Sequence, residues 1–452
     1  MNWNSDVGVN GQNQSQSLES KGSRPLFAFQ EKRREYLAEI QKSRRDGYLK
    51  DARMLLMESR KTAETTKLNE KTSEPKVRTE EMEFESLAGQ MTQMKPNKKK
   101  DDEIEEERKE GGAKKGKSKY DDRKMLNYFA KQLTVPDYLI SIPPHLHEDL
   151  WFAIPKPAGT RTLVFAGGYK TISRDKNGHI LHKFTSYLPG GWQSADHGKT
   201  TILDAIYVEA QKTYYVLDIL YLKDNPLVHE STESRHFMME SFVFGDSKEK
   251  LAERNLFNEY RFILLPKLSC SVEVLQACYT ENTPYVKDGI LFYHKMAPYL
   301  SAFQGTNSYI LHWKDKFTSM YPYETEAGEE VTEDVYAVLE LSKTNELKTL
   351  DDIYLAKMDT ELKEKLGLFT GNLIRVVLKG IKINEMAEEI RDGVHIDKVE
   401  PLKKSSIKRA CADSLSKIIF QYQMRSKPIT YSELEQGVIN NNKEKEEDAN
   451  LL

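Results

Sequence analysis

The sequence predicts an α+β fold, with antiparallel sheets and helices preceded by a helical basic arm. From Trp151 onward, apolar runs such as TLVFAG, TILDAIYVEA, TYYVLDILYL, YRFILLP and GILFYHK alternate with the turn clusters KNG, PGG and KDNP. Short runs rich in Val, Ile, Tyr and Phe read as strands, because branched and aromatic side chains suit a pleated, half-buried surface. Ahead of them, residues 30–56 carry long helix-favouring side chains without an internal proline. Between the two lies a charged stretch, including KPNKKKDDEIEEERKEGGAKKGKSK. It holds too little apolar surface to offset the entropy lost on ordering.

These shifts divide the chain into a disordered segment 1–23, an arm 24–66, a disordered charged linker 67–122, a folded domain 123–325, a second unit 326–425 and a polar tail 426–452. The second unit carries strand-like VYAVLEL and NLIRVVLKGI, then helix-like SSIKRACADSLSKIIFQYQM. The net charge is only −3 although 30% of residues are charged. A balanced total with local basic runs points to specific anionic partners, not general coating of nucleic acid. Cys270, Cys278 and Cys411 are odd in number and scattered, which argues against a disulfide framework or zinc site and fits a reducing compartment. The richest apolar stretch, Tyr214 to Leu222, is interrupted by Asp218 and falls far short of the ~20 residues that span a bilayer. The first residues lack the charged-then-apolar order of a signal peptide. The expectation is a soluble intracellular protein with no membrane partner.

In the arm, Tyr36, Ile40, Tyr48, Ala52, Leu55 and Leu56 recur at helical spacing and make a narrow apolar stripe. Lys32, Arg33, Arg34, Lys42, Arg44, Arg45, Lys50 and Arg53 occupy the other faces. A solvated helix packed on its own domain fits this composition. The linker, however, sets the helix far from the nearest core, and a helix with no local core needs a partner. RNA phosphate, an anionic membrane or an acidic protein groove would each satisfy the charge. Glu31, Glu35, Glu39, Asp46 and Asp51 interleave with the cations, which favours a groove with matched positions. The stretch EIQKSRRDGYLKDARML resembles the importin-β-binding arm of the snurportin family, adaptors for import of spliceosomal particles. The resemblance implies receptor contacts at Lys42, Arg44, Arg45 and Arg53.

The folded domain resembles the covalent nucleotidyltransferases, RNA capping enzymes and ligases, through several fragments in the family's order. Those enzymes need a lysine nucleophile in KxDGxR and carboxylates that hold a metal. Here the nucleophile motif reads Lys156-Pro157-Ala158-Gly159-Thr160-Arg161, with Ala158 in place of Asp. The next reads Leu203-Asp204-Ala205-Ile206, with Ile206 in place of the metal-supporting carboxylate. TYYVLDIL supplies Asp218, DGILFYHK supplies Asp288 and Lys295, and LHWKDK supplies Trp313 and Lys314, with His312 at the first lysine position. The resemblance implies a guanylyltransferase-like fold that has lost its chemistry, with no metal and no cofactor. Lys156 keeps an alternative open, an RNA capping guanylyltransferase; an exposed lysine beside a strand is the plainer reading.

FAKQLTVPDYLISIP, KFTSYLPGGW, TTILDAIYVEAQKTYYVLDILYL and DGILFYHK resemble the snurportin cap-binding domain. The family implies binding of a 2,2,7-trimethylguanosine cap on small nuclear RNA particles and delivery to importin-β. N7 methylation makes the base cationic, so an aromatic face gains ~1–3 kcal/mol from stacking and cation–π attraction. By this resemblance Trp313 is the stacking platform, with a core tryptophan as the other reading. Tyr138, flanked by Val135 and Pro136, lies beside the methylated edge, and Lys176 and Arg161 face the cap phosphates. The family shuttles between cytoplasm and nucleus and returns with an exportin, but MNWNSDVGVNGQNQSQS lacks the large apolar anchors of an export signal. A cap-binding factor without a transport role is a further alternative. For the second unit the strand-rich stretch, then IDKVEPLKKSSIKRACADSLSKII, resembles a degenerate OB-like domain. Lys403, Lys404, Lys408 and Arg409 could there touch RNA phosphates or form a plain exposed face.

Overall fold

All ten residues of Thr213–Leu222 are buried, which requires a packed layer on each face of that strand. The structure is a computed structural model describing residues 30, 32, 34–35, 54–58, 60–61, 119–192, 199–323, 331–384, 393–406 and 409–450. The segment 1–23, most of the linker, and Lys42, Arg44, Arg45, Arg53 and Lys408 lie outside those residues.

The folded part begins with α1 (Lys119–Ala130), β1 (Pro136–Tyr138) and β2 (Trp151–Pro157). A run of hairpin-forming strands follows, β3 (Thr160–Gly167), β4 (Lys170–Asp175), β5 (Ile180–Phe184), β6 (Thr201–Val208) and β7 (Thr213–Leu222). After the short β8 (Asn225–Pro226) come α2 (Thr232–Met238), α3 (Lys248–Ala252), β9 (Arg261–Leu264) and β10 (Leu268–Ser269). Then come α4 (Val272–Thr280), β11 (Lys287–His294) and β12 (Asn307–Trp313).

Two sheets result. The first runs β5-β4-β3-β6-β7-β8, with β9 parallel to β7. The second runs β1-β12-β11-β2-β10, antiparallel except for β1 on β12. Their facing sides share Phe152, Ile154, Ile206, Leu217, Leu291, Tyr293 and Ile310. The first sheet's other face packs on the α2–α3 region through Met239 and Leu251, while α1 covers the far end of its inner face through Phe129 and Leu163. The second sheet's outer face, with Trp151, Phe292, Leu311 and Trp313, packs on α4 and on a C-terminal helix.

The second unit comprises β13 (Val335–Leu341), β14 (Glu346–Lys348), β15 (Tyr354–Lys357), α5 (Thr360–Lys365), β16 (Leu373–Ile383) and β17 (Val394–Lys404). Its order is β15-β14-β13-β16-β17. Counted within the unit this is 3-2-1-4-5, with a helix between the third and fourth strands, the arrangement of an OB-type sheet. Val335, Leu339, Ile374, Val376 and Leu378 fill its interior. α6 (Leu415–Arg425) closes it with Ile418 and reaches the first domain through Leu415, Ile419 and Phe420, which meet Ile140.

Three expectations change. The polar tail is instead α7 (Tyr431–Asn450), which buries Leu434 and Val438 against α4 and the second sheet. Those two residues are four apart, enough for one helical face, and the dense polar sequence around them hides it. The expected helix over 405–424 begins only at Leu415, where Ser414 caps it by accepting from the Lys417 N–H. The arm, expected to have no local core, has one at both ends of its basic stretch. Gln30 is buried and donates to the Tyr138 carbonyl, and Leu55 packs with Phe129, Leu163 and Ile172. Arg60 then pairs with Asp224 at 2.7 Å. Among the described residues no helix is long and apolar enough to cross a membrane.

Candidate functional site

Charged side chains collect along the seam where the two sheets face each other. Lys156 on β2 pairs with Asp288 on the neighbouring β11, and the two side chains are only 15% and 23% exposed. Ser319 Oγ donates to Asp288 Oδ1 at 2.7 Å, and Lys314 Nζ lies 3.7 Å from the same oxygen. His312 Nε2 is 2.7 Å from the Asp288 carbonyl oxygen. Gly289 makes this convergence possible. It sits at φ 89°, and a Cβ there would come within 2.3 Å of the Trp313 carbonyl oxygen, closer than any L residue tolerates.

Burial opposes charge at each of these groups, and the neighbours decide the outcome. Desolvation lowers the Lys156 pKa more than Asp288 raises it. At Asp288, burial alone would favour the neutral acid, but Lys156, His312 and Lys314 together hold it below the ordinary carboxylate range. His312 is pushed down to about 3, chiefly by burial and then by Lys156, so its ring is neutral.

Deeper in the seam the two remaining family carboxylates are tied to arginines. Asp204 is fully buried, bound on both oxygens by Arg161 and also by the Tyr299 hydroxyl at 2.8 Å. Asp218 accepts from Arg235 Nε and Nη2, both at 2.8 Å, and from the Ile219 N–H at 2.9 Å. Burial would raise the Asp218 pKa, yet Arg235 and Lys267 hold it below its usual value. Arg235 is 1% exposed and spends Nη1 on the Ala297 carbonyl. Lys267 donates to the Leu217 carbonyl and lies 5.1 Å from the Tyr293 ring. Its pKa is lowered to about 8, first by burial. Ile206, at the lost carboxylate position, is buried in the apolar part of the seam. Among the described residues no three His, Cys, Asp or Glu side chains gather where they could hold a metal.

The sequence-predicted contacts separate into two groups. Tyr138 is brought to the site, because β1 pairs with β12 and places its ring 5.2 Å from His312 and 4.8 Å from Phe420. Val135 and Pro136 are half-buried beside it, and Arg161 lies further along the same seam. Lys176 is exposed at the tip of the β4–β5 turn, away from the ion pairs of the seam.

Trp313 does not serve as a platform in this structure. Side chains alternate along β12, so His312 turns toward Asp288 while Trp313 turns to the outer face, where it is fully buried. There it packs with Leu139, Leu275, Cys278, Leu434 and Val438, and its indole N–H donates to the Ile429 carbonyl at 3.0 Å. The core reading of this tryptophan is the correct one. Sequence reasoning missed Arg235, Lys267, Tyr299 and Ser319. None stands in a motif, and only the folded chain shows that a buried carboxylate such as Asp218 needs a cationic partner.

In this seam guanidinium groups stand against the carboxylates, and cations line an aromatic edge. Residues 132–313 match the family model described as Snurportin1, m3G cap-binding domain. Over this span the chain is snurportin-like. Solved structures with slight likeness include a mycobacterial DNA ligase D complexed with ATP and MES, at 11% identity. It covers 60% of this chain and 96% of that one, with a TM-score of 0.28. The ligase domain of LigD from M. tuberculosis is 10% identical, covering 56% and 90% at a TM-score of 0.28. A Lig E DNA ligase is 14% identical, covering 60% and 98% at 0.27. Scores this low add nothing to the functional reading.

Proposed function

We propose that the protein is a non-enzymatic adaptor that grips the trimethylguanosine cap of small nuclear RNA particles and hands them to importin-β. The match over residues 132–313 carries the cap half of this reading. The tied carboxylates support its non-enzymatic half. Asp204 and Asp218 each meet a guanidinium on both oxygens, and a metal would have to displace a buried arginine to reach either. Without a metal, guanylyl transfer from Lys156 would forgo several kcal/mol of transition-state stabilisation.

In this scheme Lys156 and Lys314 meet the phosphate bridge, Arg161 backs them, and the cationic base lies against the Tyr138–His312 edge. Neutral His312 suits that role, because a charged imidazolium would repel a methylated guanine. Lys176 reaches the phosphates only from its exposed turn. Importin-β docks on Lys42, Arg44, Arg45 and Arg53, and the protein shuttles between cytoplasm and nucleus, with an exportin as its return partner.

Titration of the whole protein with a trimethylated cap dinucleotide tests the cap half. We expect binding that weakens about tenfold, ~1.4 kcal/mol, in Lys156→Ala. Absence of binding to the wild type would defeat the proposal. Incubation with labelled GTP and magnesium tests the rest: a covalent adduct lost in Lys156→Ala would establish the enzyme instead. Replacing Lys42, Arg44, Arg45 and Arg53 together by Ala should abolish importin-β capture and spare cap affinity; capture that is absent already in the wild type would leave a cap-binding factor without that route of transport.

A further inference from the structure

Segments far apart in the sequence enclose a cavity of about 460 Å³ where the cap-site strand β1 meets the second unit. Ser141 and Ile142 follow β1, Ile383 ends β16, and Tyr422 and Gln423 lie near the end of α6. Lys427, on the link to α7, is exposed at the rim. The volume falls in the range of small-molecule sites, roughly 300–1,000 Å³. Its wall keeps unused hydrogen-bonding capacity. Ser141 is 2% exposed, and among the described residues neither its Oγ nor Gln423 Oε1 has a partner. Buried polar atoms nearly always have one. The Gln423 amide is pinned through its nitrogen, since Nε2 donates to the Ile140 carbonyl at 3.0 Å. Its oxygen is what remains to offer. Glu433, the acid of the cavity, accepts from the Thr430 N–H and hydroxyl at 2.9 and 3.0 Å. The wall therefore combines a fixed acceptor, a hydroxyl, an aromatic ring, two apolar side chains and a cation at the mouth. That set suits a flat heterocycle that carries an amino group and hangs from a phosphate chain.

We propose that this cavity takes an amine-bearing base of the RNA that leads away from the cap. The base amino group donates to Gln423 Oε1, the Ser141 hydroxyl donates to a ring nitrogen, and Lys427 meets a backbone phosphate. The inference rests on the cap-binding reading for the source of the base. Position supports it, because Ser141 follows Tyr138 by three residues, which span at most ~11 Å. Phe420 lies three residues before Gln423, on the same face of α6, and its ring centroid is 4.8 Å from that of Tyr138. The cavity thus adjoins the edge at which the cap base is placed.

The test uses the full chain with a trimethylated cap mononucleotide and capped tetranucleotides that differ at single positions. The wild type should bind the adenosine-bearing tetranucleotide roughly tenfold more tightly than the mononucleotide, within what one stacked base contributes. An abasic residue at one position should remove that gain. Purine riboside at that position, which lacks only the amino group of adenosine, should remove most of it. Ser426 is exposed at the rim, so Ser426→Trp should fill the cavity without disturbing the core. That variant should keep its mononucleotide affinity and gain nothing from the added nucleotides. Lys427→Ala should reduce the slope of log affinity against log salt by ~0.7, the share of one phosphate on a single strand. A full tetranucleotide gain in Ser426→Trp overturns the proposal, as does purine riboside that binds as tightly as adenosine, or a gain that no single abasic position removes. An arginine-rich peptide that Ser426→Trp alone rejects, with the RNA gain intact, would give the cavity to a protein instead. A wild type that binds the mononucleotide and gains nothing from the tetranucleotide sinks this inference alone. One that ignores the mononucleotide, yet binds the tetranucleotide in a way that Ser426→Trp abolishes, sinks the cap reading alone.

Discussion

The molecule has two interiors built on different principles. Inside the OB-like sheet, Val335, Leu339, Ile374, Val376 and Leu378 meet without a charge among them. In the seam between the first two sheets, the buried Asp204, Asp218, Arg235 and Lys267 are interleaved with Leu217, Tyr293 and Ile206. Apolar replacements of buried ion pairs are often neutral or stabilising, so stability alone does not account for charge in the seam. The interior of the OB-like sheet is a packing solution; the seam gathers charge.

The sharpest way to break this contrast is to orphan a seam charge. Arg235→Ala would leave Asp218 buried with its bidentate partner gone, and we expect a loss of ~3–5 kcal/mol in denaturant unfolding. The double variant Asp218→Leu/Arg235→Met should recover most of it. If the double variant is as unstable as the single one, the pair is itself a stabilising element and the contrast with the OB-like sheet fails.

A smaller effect is expected at Trp313. Trp313→Phe leaves the Ile429 carbonyl without its indole donor and opens some space, which together should cost ~1–3 kcal/mol of stability. Cap affinity of the folded protein should stay within about twofold, under ~0.5 kcal/mol. A large affinity loss in a normally folded variant would return the base to Trp313.

That tryptophan also marks how far the sequence could be read. Branched and aromatic strands such as TYYVLDILYL and GILFYHK announce themselves, and the family fragments place Lys156, Asp204 and Asp288 in the right order. The resemblance assigned Trp313 to the cap, but a strand's alternation decides which side a residue faces, and a one-residue shift reverses it. β17 was legible only by resemblance: VHIDKVEPLKK is nearly half charged and contains Pro401, so strand propensity is silent there. Its pairing to the apolar β16 makes it a strand. Leu434 and Val438 were hidden for the same reason, two apolar anchors within a polar helix.

Protonation distinguishes the two interiors more gently. His236 is held down to about 3 and His294 to about 4, in each case chiefly by burial. Unfolded histidines protonate near 6.5, so below that pH the unfolded chain binds protons that the native state refuses. Stability is then intact above pH 6.5 and falls as the pH drops toward 4, by up to ~1.4 kcal/mol per pH unit for each histidine. His294→Gln should flatten part of that slope. The interior of the OB-like sheet contains no histidine among its core residues and should contribute nothing to it.

The smallest effect should come from the outer face of the OB-like sheet. Lys379–Glu400 matches a seam pair in length, at 2.9 Å against 2.8 Å for Arg235–Asp218. Its side chains are 44% and 28% exposed, whereas those of the seam pair are 1% and 0%. Water and salt screen the outer pair, and holding two long side chains in place offsets what attraction remains. Glu400→Gln should therefore leave the melting temperature where it is in ordinary salt. A melting temperature that drops as it does in Arg235→Ala would mean that ion-pair geometry, and not burial, sets the difference between the two regions.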